Sequence, residues 1–203
     1  MIAYFTRHGQ TKWNTEHRMQ GRQNSPLTSL GKEQAHWLGH RLKHTRIDHI
    51  VASPSERTKE TAGIVNEYLN VPLSTDERIM EIAMGEWEGK TKAEIEKEYP
   101  ESAHHFWNEP HLFQSHGGES FHDVHARVTD VINDVSERYQ GEHVLFVTHG
   151  TMLKVLQVML EEKDIEQLWE GAYMQPTSLS KVSFEEEHPS IFFMGDTSHY
   201  RVD

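Results

Sequence analysis

The chain has 203 residues, a formal net charge of −12, 35% hydrophobic residues and no cysteine. The acidic balance argues against a nucleic-acid partner, and the absence of cysteine excludes disulfides and thiol chemistry and fits a cytoplasmic protein. At this length we expect a single globular domain over residues 1–203. No run of about 18 apolar residues is present and the first residues lack the pattern of a signal peptide, so we expect no membrane contact.

Short apolar runs rich in β-branched and aromatic residues predict buried strands along the chain. In chain order, these runs cover residues 2–6, 47–52, 144–148, 179–184 and 191–194, with a weaker candidate at 71–74. Residues 185–189 read Glu-Glu-Glu-His-Pro, which is typical of a hairpin loop, so we expect the last two strands to be antiparallel.

Apolar residues at helical spacing alternate with these strands. They predict helices around Ala35–Leu42, Thr58–Leu69, Phe121–Tyr139 and Thr151–Leu160. Start signals agree with this pattern, since capping boxes are found at Ser53–Glu56, Thr91–Glu94 and Ser120–Asp123. Strands that alternate with helices indicate an α/β fold with a mostly parallel central sheet.

Polar residues follow three of the predicted strands. Arg7 and His8 come after the first strand, residues 53–57 after the second, and His149 and Gly150 after a strand near the other end of the chain. Ligands of such sheets bind beyond the carboxyl ends of the strands. We therefore expect one site that is built from both ends of the chain.

His8 is the candidate nucleophile. A neutral imidazole attacks phosphorus well near pH 7, because its ordinary pKa is about 6.5, and water can then release the adduct. Gly9 would let a backbone N–H approach an anion without a Cβ in the way. A lone histidine at a strand end is more often satisfied by the backbone, but Arg7 and Asn14 nearby favour a chemical role.

Three further side chains are candidates to hold a phosphoryl group. Arg7 and Arg57 stay charged and offer planar forks of N–H donors, and Arg57 lies in the first turn of a predicted helix, whose N-terminus also attracts anions. His149, if protonated, would stabilise charge on the transferring group. Because the chain as a whole is acidic, a phosphate site has to be a local pocket of cations and N–H donors.

Residues 81–89 read Glu-Ile-Ala-Met-Gly-Glu-Trp-Glu-Gly, a composition typical of a loop that crosses a site. A carboxyl group there would protonate the leaving oxygen and then activate water. Chemistry alone leaves Glu81, Glu86 and Glu88 open for this role, because a chain with 32 acidic residues has many surface carboxylates.

A series of short motifs runs in order along nearly the whole chain. They are Arg7–Asn14 (RHGQTKWN), Arg18–Gly21 (RMQG), Ser25–Gly31 (SPLTSLG), Ser53–Ala62 (SPSERTKETA), Glu81 with Gly85–Gly89 (GEWEG), Gly117–Ser120 (GGES) and Val147–Gly150 (VTHG). One of them alone would be weak evidence, but the ordered set is very specific. Through these motifs the chain resembles the histidine phosphatase superfamily, also called the phosphoglycerate mutase-like family.

The resemblance implies a three-layer α/β/α fold and a phosphohistidine intermediate on His8. It implies that Arg7, Arg57 and His149 hold the phosphoryl group, and it selects Glu81 as the proton donor. The substrate pocket would be completed by Asn14, Gln20, Gly21 and the backbone at Gly150. Neither a metal nor an organic cofactor is implied.

The segment of about residues 100–116 bears on the choice between phosphatase and mutase. A mutase must retain a small polyanion and so needs extra cations over the site, but no lysine or arginine lies between Lys97 and Arg127. The resemblance also implies that mutases of this family are longer chains, with a basic insertion in this region. The segment contains aromatic residues instead, and we interpret it as a partly apolar lid in which Phe106 and Trp107 contact substrate. The alternative, that these aromatics simply pack in the core, stays open.

The resulting prediction is a phosphatase of broad specificity that hydrolyses small-molecule phosphomonoesters, as a monomer or a homodimer. A glutamine at position 20 also resembles the pattern of the phosphatase branch of the family. A cofactor-dependent phosphoglycerate mutase is the first alternative. A metal-binding protein is less favoured: His36, His40 and His44 are four apart on one predicted helix, but they point away from its apolar stripe, and structural zinc often takes cysteine ligands. An inactive phospho-ligand binder is disfavoured because every residue of the constellation is present.

Overall fold

The computed structural model describes residues 1–186 and 188–201. Within these residues six strands form one sheet: β1 (Ile2–Arg7), β2 (His49–Ala52), β3 (Leu73–Thr75), β4 (His143–Thr148), β5 (Leu179–Ser183) and β6 (Ser190–Asp196). Their order across the sheet is β3-β2-β4-β1-β5-β6. The sheet therefore brings β1, from the start of the chain, against β4, from its second half.

The sheet is mixed but mostly parallel. The pairs β1–β4, β2–β4 and β2–β3 are parallel, whereas β5 is antiparallel to both β1 and β6. Every run predicted as a strand forms one, and the predicted antiparallel pairing of the last two strands is confirmed. Glu187, in the predicted hairpin loop, lies outside the described residues.

Helices fill most of the connections between strands. They are α1 (Lys12–Thr15), α2 (Ser29–Leu42), α3 (Glu56–Leu69), α4 (Lys92–Glu98), α5 (Pro100–Asn108), α6 (Phe121–Arg138) and α7 (Gly150–Leu160). Short 3₁₀ turns lie at Glu77–Ile79, Gly85–Trp87, Pro110–Leu112 and Ile165–Gln167.

The two faces of the sheet pack against different helices, because successive side chains of a strand point to opposite faces. On β1, Ile2 and Tyr4 join a core cluster with residues of α2 and α3. Ala3 and Phe5 join a second cluster with residues of α6 and α7. Both faces are covered, and the expected three-layer α/β/α architecture with a mostly parallel central sheet is confirmed.

One predicted helix start is wrong. The proline-containing capping box predicted at Ser53–Glu56 does not form, because α3 begins at Glu56 and its N-cap residue Ser55 makes no side-chain cap hydrogen bond. The carbonyl of Ser53 instead accepts a hydrogen bond from Thr58 Oγ1 at 2.7 Å, and its hydroxyl bonds outside the helix. The capping boxes predicted at Thr91 and Ser120 are both present.

Of the three histidines predicted on one helix, His36 and His40 lie on α2, and neither is buried. The helix ends at Leu42, so His44 lies beyond it, and the ring of His36 bonds to Tyr68 Oη at 3.1 Å. Within residues 1–186 and 188–201, no group of three or more His, Cys, Asp or Glu side chains is placed to hold a metal ion. No helix in the same part of the chain has both the length and the apolar character needed to cross a membrane.

Candidate active site

The candidate site lies where three parallel strands end side by side. Strand pairing aligns Arg7 with Thr148 and Ala52 with Val147. The next residue of each strand therefore emerges at the same edge, and the backbone N–H groups of His8 and Ser53 each donate to a carbonyl of β4 at 2.9 Å. A cavity of about 740 Å³ opens beyond this edge. The expected meeting of the strand ends is thus observed.

His8 lies at the base of the cavity with only 2% of its surface exposed. Its Nδ1 lies 2.7 Å from the carbonyl oxygen of Gly9, and because a carbonyl can only accept, Nδ1 carries the proton. Burial, followed by the charges of Arg57 and Arg7, lowers the pKa of His8 well below 6.5. The ring is therefore neutral near pH 7, with the lone pair of Nε2 available to attack.

Gly9 has a different role from the one that the sequence suggested. Its N–H does not face the cavity but donates to Thr61 Oγ1 at 3.0 Å. A Cβ at this position would lie 2.3 Å from the carbonyl oxygen of Gly31, so only glycine fits against that backbone. Gly9 thus serves the close packing of the β1 loop on the start of α2.

Arg7 and Arg57 both line the cavity, and backbone carbonyl groups hold their guanidinium groups in place. Nη1 of Arg7 donates to the carbonyl of Met174 at 2.9 Å, whereas Nη1 and Nη2 of Arg57 donate to the carbonyls of Gln23 and Gly21 at 2.7 and 2.8 Å. The Nε atoms of both arginines are buried without a hydrogen-bond partner in the protein. Because buried donors are almost always satisfied, two arginines with unsatisfied Nε groups in the wall of the cavity that contains His8 favour an anionic ligand.

Arg57 itself is held almost completely out of water. Its side chain is 1% exposed, and this burial lowers its pKa to about 10. An arginine with such a pKa remains charged at neutral pH, and because the side chain is buried, water screens its charge only weakly. The cavity is therefore lined by a buried cation, even though the chain carries a net charge of −12.

His149 completes the base of the cavity as a neutral ring. Its centroid lies 5.4 Å from that of His8. Nη2 of Arg57 donates to Nδ1 of His149 at 3.1 Å, so Nε2 carries the proton and donates to Ser53 Oγ at 2.8 Å. Burial, and then Arg57 and His8, lower the pKa of His149 well below 6.5. The protonated form considered from the sequence is thus disfavoured, because it would place a cation against Arg57.

Glu81 reaches the cavity at the N-terminus of α7. Its Oε1 accepts from the N–H groups of Ile82 at 3.0 Å and Met152 at 3.2 Å, and its Oε2 from that of Thr151 at 3.2 Å. The carboxylate therefore lies on the positive end of a helix whose first residue directly follows His149.

The structure separates the three glutamates that sequence chemistry left open. Glu81 lines the cavity together with His8, and neither of the other two does. Glu86 accepts a hydrogen bond from Tyr99 Oη at 2.7 Å. Glu88 accepts from backbone N–H groups of residues 22, 23 and 84 and so holds two loops together.

Two amide side chains predicted to bind substrate also line the cavity. Asn14 Oδ1 accepts from the N–H and hydroxyl of Thr11, at 3.0 Å each, within a capping box that starts α1. This leaves the donor end of Asn14 without a partner among the described residues. Gln20 is buried, and its Oε1 has no hydrogen-bond partner in the protein. Both amides therefore have unused polar atoms at the site.

The two predicted glycines bring backbone close to the arginines. Gly21 has φ +51°, and its carbonyl accepts from Arg57 Nη2 at 2.8 Å. A Cβ on Gly150 would lie 3.4 Å from Arg7 Nε, so the backbone at this position lies directly against the guanidinium group. Both positions line the cavity, as predicted for the pocket.

The segment 100–116 is only partly a cover over the cavity. It forms α5 and a 3₁₀ turn, and Phe106 and Phe113 are fully buried in the core, at 5.6 and 5.3 Å from the ring of Trp87. The alternative that the aromatics pack in the core is therefore correct for these two, although Phe106 also lines the cavity. Trp107 is 38% exposed, packs against Trp169 with the ring centroids 5.2 Å apart, and forms part of the cavity mouth.

Sequence reasoning missed the opposite wall of the cavity. Residues 169 and 171–176 line it, including Tyr173, which is 69% exposed. This stretch is a loop without hydrophobic periodicity, so no pattern marked it. Lys154 anchors it, since Nζ donates to the carbonyls of Glu170 and Ala172. A lysine in the apolar run of α7 was the one available signal.

Cationic side chains from outside residues 97–127 also reach the cavity. Arg18 and Lys92 both line it. Arg18 Nε donates to Glu16 at 2.8 Å and its Nη1 to the carbonyl of Gly89 at 2.7 Å, while Lys92 Nζ lies 5.1 Å from the centre of the Trp107 ring. The absence of lysine and arginine between positions 97 and 127 therefore does not make the mouth free of positive charge.

Comparison with known proteins agrees with this geometry. The family model described as "Histidine phosphatase superfamily (branch 1)" matches residues 3–197. The chain is 31% identical over 193 residues to phosphoserine phosphatase 1 of Hydrogenobacter thermophilus, a match that covers 95% of this chain and 91% of the relative. It is 35% identical over 154 residues to the probable phosphoglycerate mutase GpmB of Salmonella choleraesuis, covering 76% of this chain and 72% of the relative.

A solved structure shares the same fold. Bacillus stearothermophilus YhfR is 42% identical in sequence, and its structure aligns with a TM-score of 0.95 over 98% of each chain. The similarity thus extends over nearly the whole chain.

Proposed function

The chain belongs to the histidine phosphatase superfamily, and we propose that it hydrolyses phosphomonoesters of varied structure through a phosphohistidine intermediate on His8. One observation carries this proposal. The free Nε2 of His8 lies in a cavity with two arginines whose buried Nε donors have no partner. A phosphoryl group supplies the anion that these donors lack, at the atom able to attack it.

In the first step, the lone pair of His8 Nε2 attacks phosphorus as the ester P–O bond breaks. Glu81 delivers a proton to the departing oxygen, so that the product leaves as an alcohol. The N–H groups of Ile82, Thr151 and Met152 then hold the resulting carboxylate. Arg7 and Arg57 neutralise the phosphoryl oxygens throughout, at positions set before the substrate arrives.

In the second step, water attacks the phosphorus of the phosphohistidine. The Glu81 carboxylate takes a proton from this water, the P–N bond breaks, and its electron pair returns to His8 Nε2. Inorganic phosphate leaves, and both residues regain their starting protonation. No electron acceptor and no further reactant is needed.

Broad specificity is supported by the walls of the cavity. Trp107, Trp169 and Tyr173 provide aromatic surface. The Nζ of Lys154 donates hydrogen bonds to Gln157 and to two backbone carbonyls, so its donors are already engaged within the protein. Such walls bind the apolar part of a substrate and do not require a second charged group on it. Small-molecule phosphomonoesters with bulky leaving groups fit this description, and the lack of cysteine suits a cytoplasmic enzyme.

A cofactor-dependent phosphoglycerate mutase remains the second candidate. Lys92 and Arg18 at the cavity mouth favour it, because they add positive charge where the far end of a small polyanion would lie. Against it, Arg18 is paired with Glu16, and Lys92 Nζ lies 3.6 Å from Glu96.

A substrate panel tests the two candidates on one preparation. Phosphate release is measured from aromatic, sugar, amino-acid and glycerate phosphomonoesters, beside a mutase assay with bisphosphoglycerate. We expect hydrolysis of several esters, with aromatic ones among the best, and little mutase turnover. Robust mutase turnover with negligible hydrolysis would contradict the proposal, and His8→Asn controls for a contaminating phosphatase.

A further inference from the structure

Glu119, in the Gly117–Ser120 motif, has a role that the proposed chemistry does not explain. It does not line the cavity, yet its side chain is only 20% exposed. Its carboxylate accepts from Arg127 Nε at 2.9 Å and Nη2 at 3.2 Å, from Arg22 Nη2 at 3.2 Å and from the N–H of Ala83 at 2.8 Å. A carboxylate with this many donors fixes whatever supplies them.

The contact with Ala83 reaches the segment that carries Glu81. The N–H of Glu119 donates to the carbonyl of Ala83 at 2.8 Å, and the N–H of Ala83 donates back to the Glu119 side chain. A Cβ on Gly118 would lie 2.1 Å from the same carbonyl oxygen, so the two backbones touch. Ala83, two residues after Glu81, is therefore bound to Glu119 through both its N–H and its carbonyl group.

Arg22 forms a second connection from Glu119 to Glu81. While its Nη2 bonds Glu119, its Nε donates to the carbonyl oxygen of Glu81 at 2.9 Å. The carbonyls on either side of Arg22, at Gly21 and Gln23, accept from Arg57. The loop at residues 21–23 therefore contacts Arg57 through its carbonyl groups and the backbone of Glu81 through the side chain of Arg22.

The charges favour an ordered network. Burial alone would raise the pKa of Glu119, but hydrogen bonds from Arg127 and Ala83 outweigh it and hold this pKa below its ordinary value. Glu119 is thus an anion between two guanidinium groups, and Arg127 is anchored in turn on the carbonyl of Arg78 at 2.7 Å.

We propose that Glu119 is a positioning residue, which with Arg22 and Arg127 holds the Glu81 carboxyl group within reach of the leaving-group oxygen. The inference rests on the proposed function, in which Glu81 donates the proton. Displacing a catalytic group by about 1 Å can cost about 100-fold in rate, so a network that does not touch substrate can still control the proton-transfer step.

The test uses the dependence of the rate on the leaving group. An alkyl phosphate needs a proton on its departing oxygen, whereas 4-nitrophenyl phosphate releases a stable phenolate and needs little help. We expect Glu119→Gln to lower kcat/KM for the alkyl ester by about 10- to 100-fold and for the nitrophenyl ester by less than about threefold. Glu81→Gln should give the same selective loss with a larger magnitude.

Two further variants separate positioning from general damage. Arg22→Met removes both links of the second connection at a residue that is 37% exposed, so the fold should survive and the selective loss should remain. Glu98→Gln breaks a surface ion pair with Lys90 that has no link to Glu81, and both esters should react as in the wild type. Melting temperatures report folding for each variant.

Loss of activity on both esters to the same extent in Glu119→Gln and Arg22→Met, or no loss on either, would overturn the positioning role. If Glu81→Gln shows the selective loss and these two do not, the positioning role alone is wrong. If Glu81→Gln also reacts equally poorly with both esters, the proton-donor role in the proposed function is wrong and the inference fails with it.

Discussion

Nη2 of Arg57 donates a hydrogen bond to Nδ1 of His149 at 3.1 Å, and this bond determines the state of the second histidine. A proton on Nδ1 would remove the acceptor and bring a cationic ring against a buried guanidinium group. His8 lies beside the same arginine, with its ring centroid 5.4 Å from that of His149. The site therefore keeps two imidazoles neutral and leaves the positive charge on the arginines.

Stability should depend on pH through these rings. Because the folded-state pKa of His149 is depressed, the unfolded chain binds a proton that the folded chain does not as the pH falls below about 6.5. The free energy of unfolding is then lost toward lower pH, by up to about 1.4 kcal/mol per pH unit for each such histidine. His149→Gln should flatten this slope by one such contribution.

Denaturant unfolding between about pH 7 and about pH 5 measures the slope for both proteins. Equal slopes for the wild type and His149→Gln would show that His149 is not held neutral in the folded state.

The acid limb of the activity profile should belong to the substrate. His8 has its pKa well below 6.5, so it remains a competent nucleophile at pH values where a phosphomonoester, with a second pKa of about 6, takes up a proton. The limb of kcat/KM should therefore shift when esters of different phosphate acidity are compared. One common apparent pKa near 6.5 for all esters would point to titration of the enzyme instead.

Adjacent aromatics of α5 should respond differently to truncation. Phe106 is 1% exposed within a cluster of rings, so Phe106→Ala should reduce the free energy of unfolding by about 3–5 kcal/mol. Trp107 is 38% exposed at the cavity mouth, so Trp107→Ala should cost only about 1 kcal/mol. Its main effect should be a KM for aromatic esters raised about 3- to 10-fold, with alkyl esters unchanged.

Denaturant unfolding and steady-state kinetics on one aromatic and one alkyl ester check both statements. A similar loss of stability in the two variants, or a KM effect of Trp107→Ala that is independent of the leaving group, would rule out a substrate-binding role for Trp107.

The position of the site follows from features that the sequence displays directly. β1 and β4 are short runs of β-branched and aromatic residues, and a parallel sheet places the residues after such runs at one edge. His8 and His149 could therefore be brought together without a structure. The motifs around Arg7 and Arg57 added the family, which the comparison confirms.

Other features depend on contacts between distant segments, which no local pattern encodes. Ser53 reads as a helix cap, but its hydroxyl bonds to His149 because β2 and β4 are neighbours in the sheet. Phe106 and Trp107 are adjacent in sequence, and only the packing of α5 decides which one is core. Glu81 stands apart from Glu88 because its carboxylate meets the start of α7.

Trapping the covalent intermediate shows directly whether His8 accepts the phosphoryl group. The enzyme is mixed with a radiolabelled phosphomonoester, quenched in alkali to preserve an acid-labile phosphohistidine, digested and mapped by mass spectrometry. We expect acid-labile label on His8 in the wild type. In His8→Asn we expect no label and a kcat lowered by about 10⁴-fold. Turnover without label on His8, or hydrolysis by His8→Asn at the wild-type rate, would contradict this role of His8.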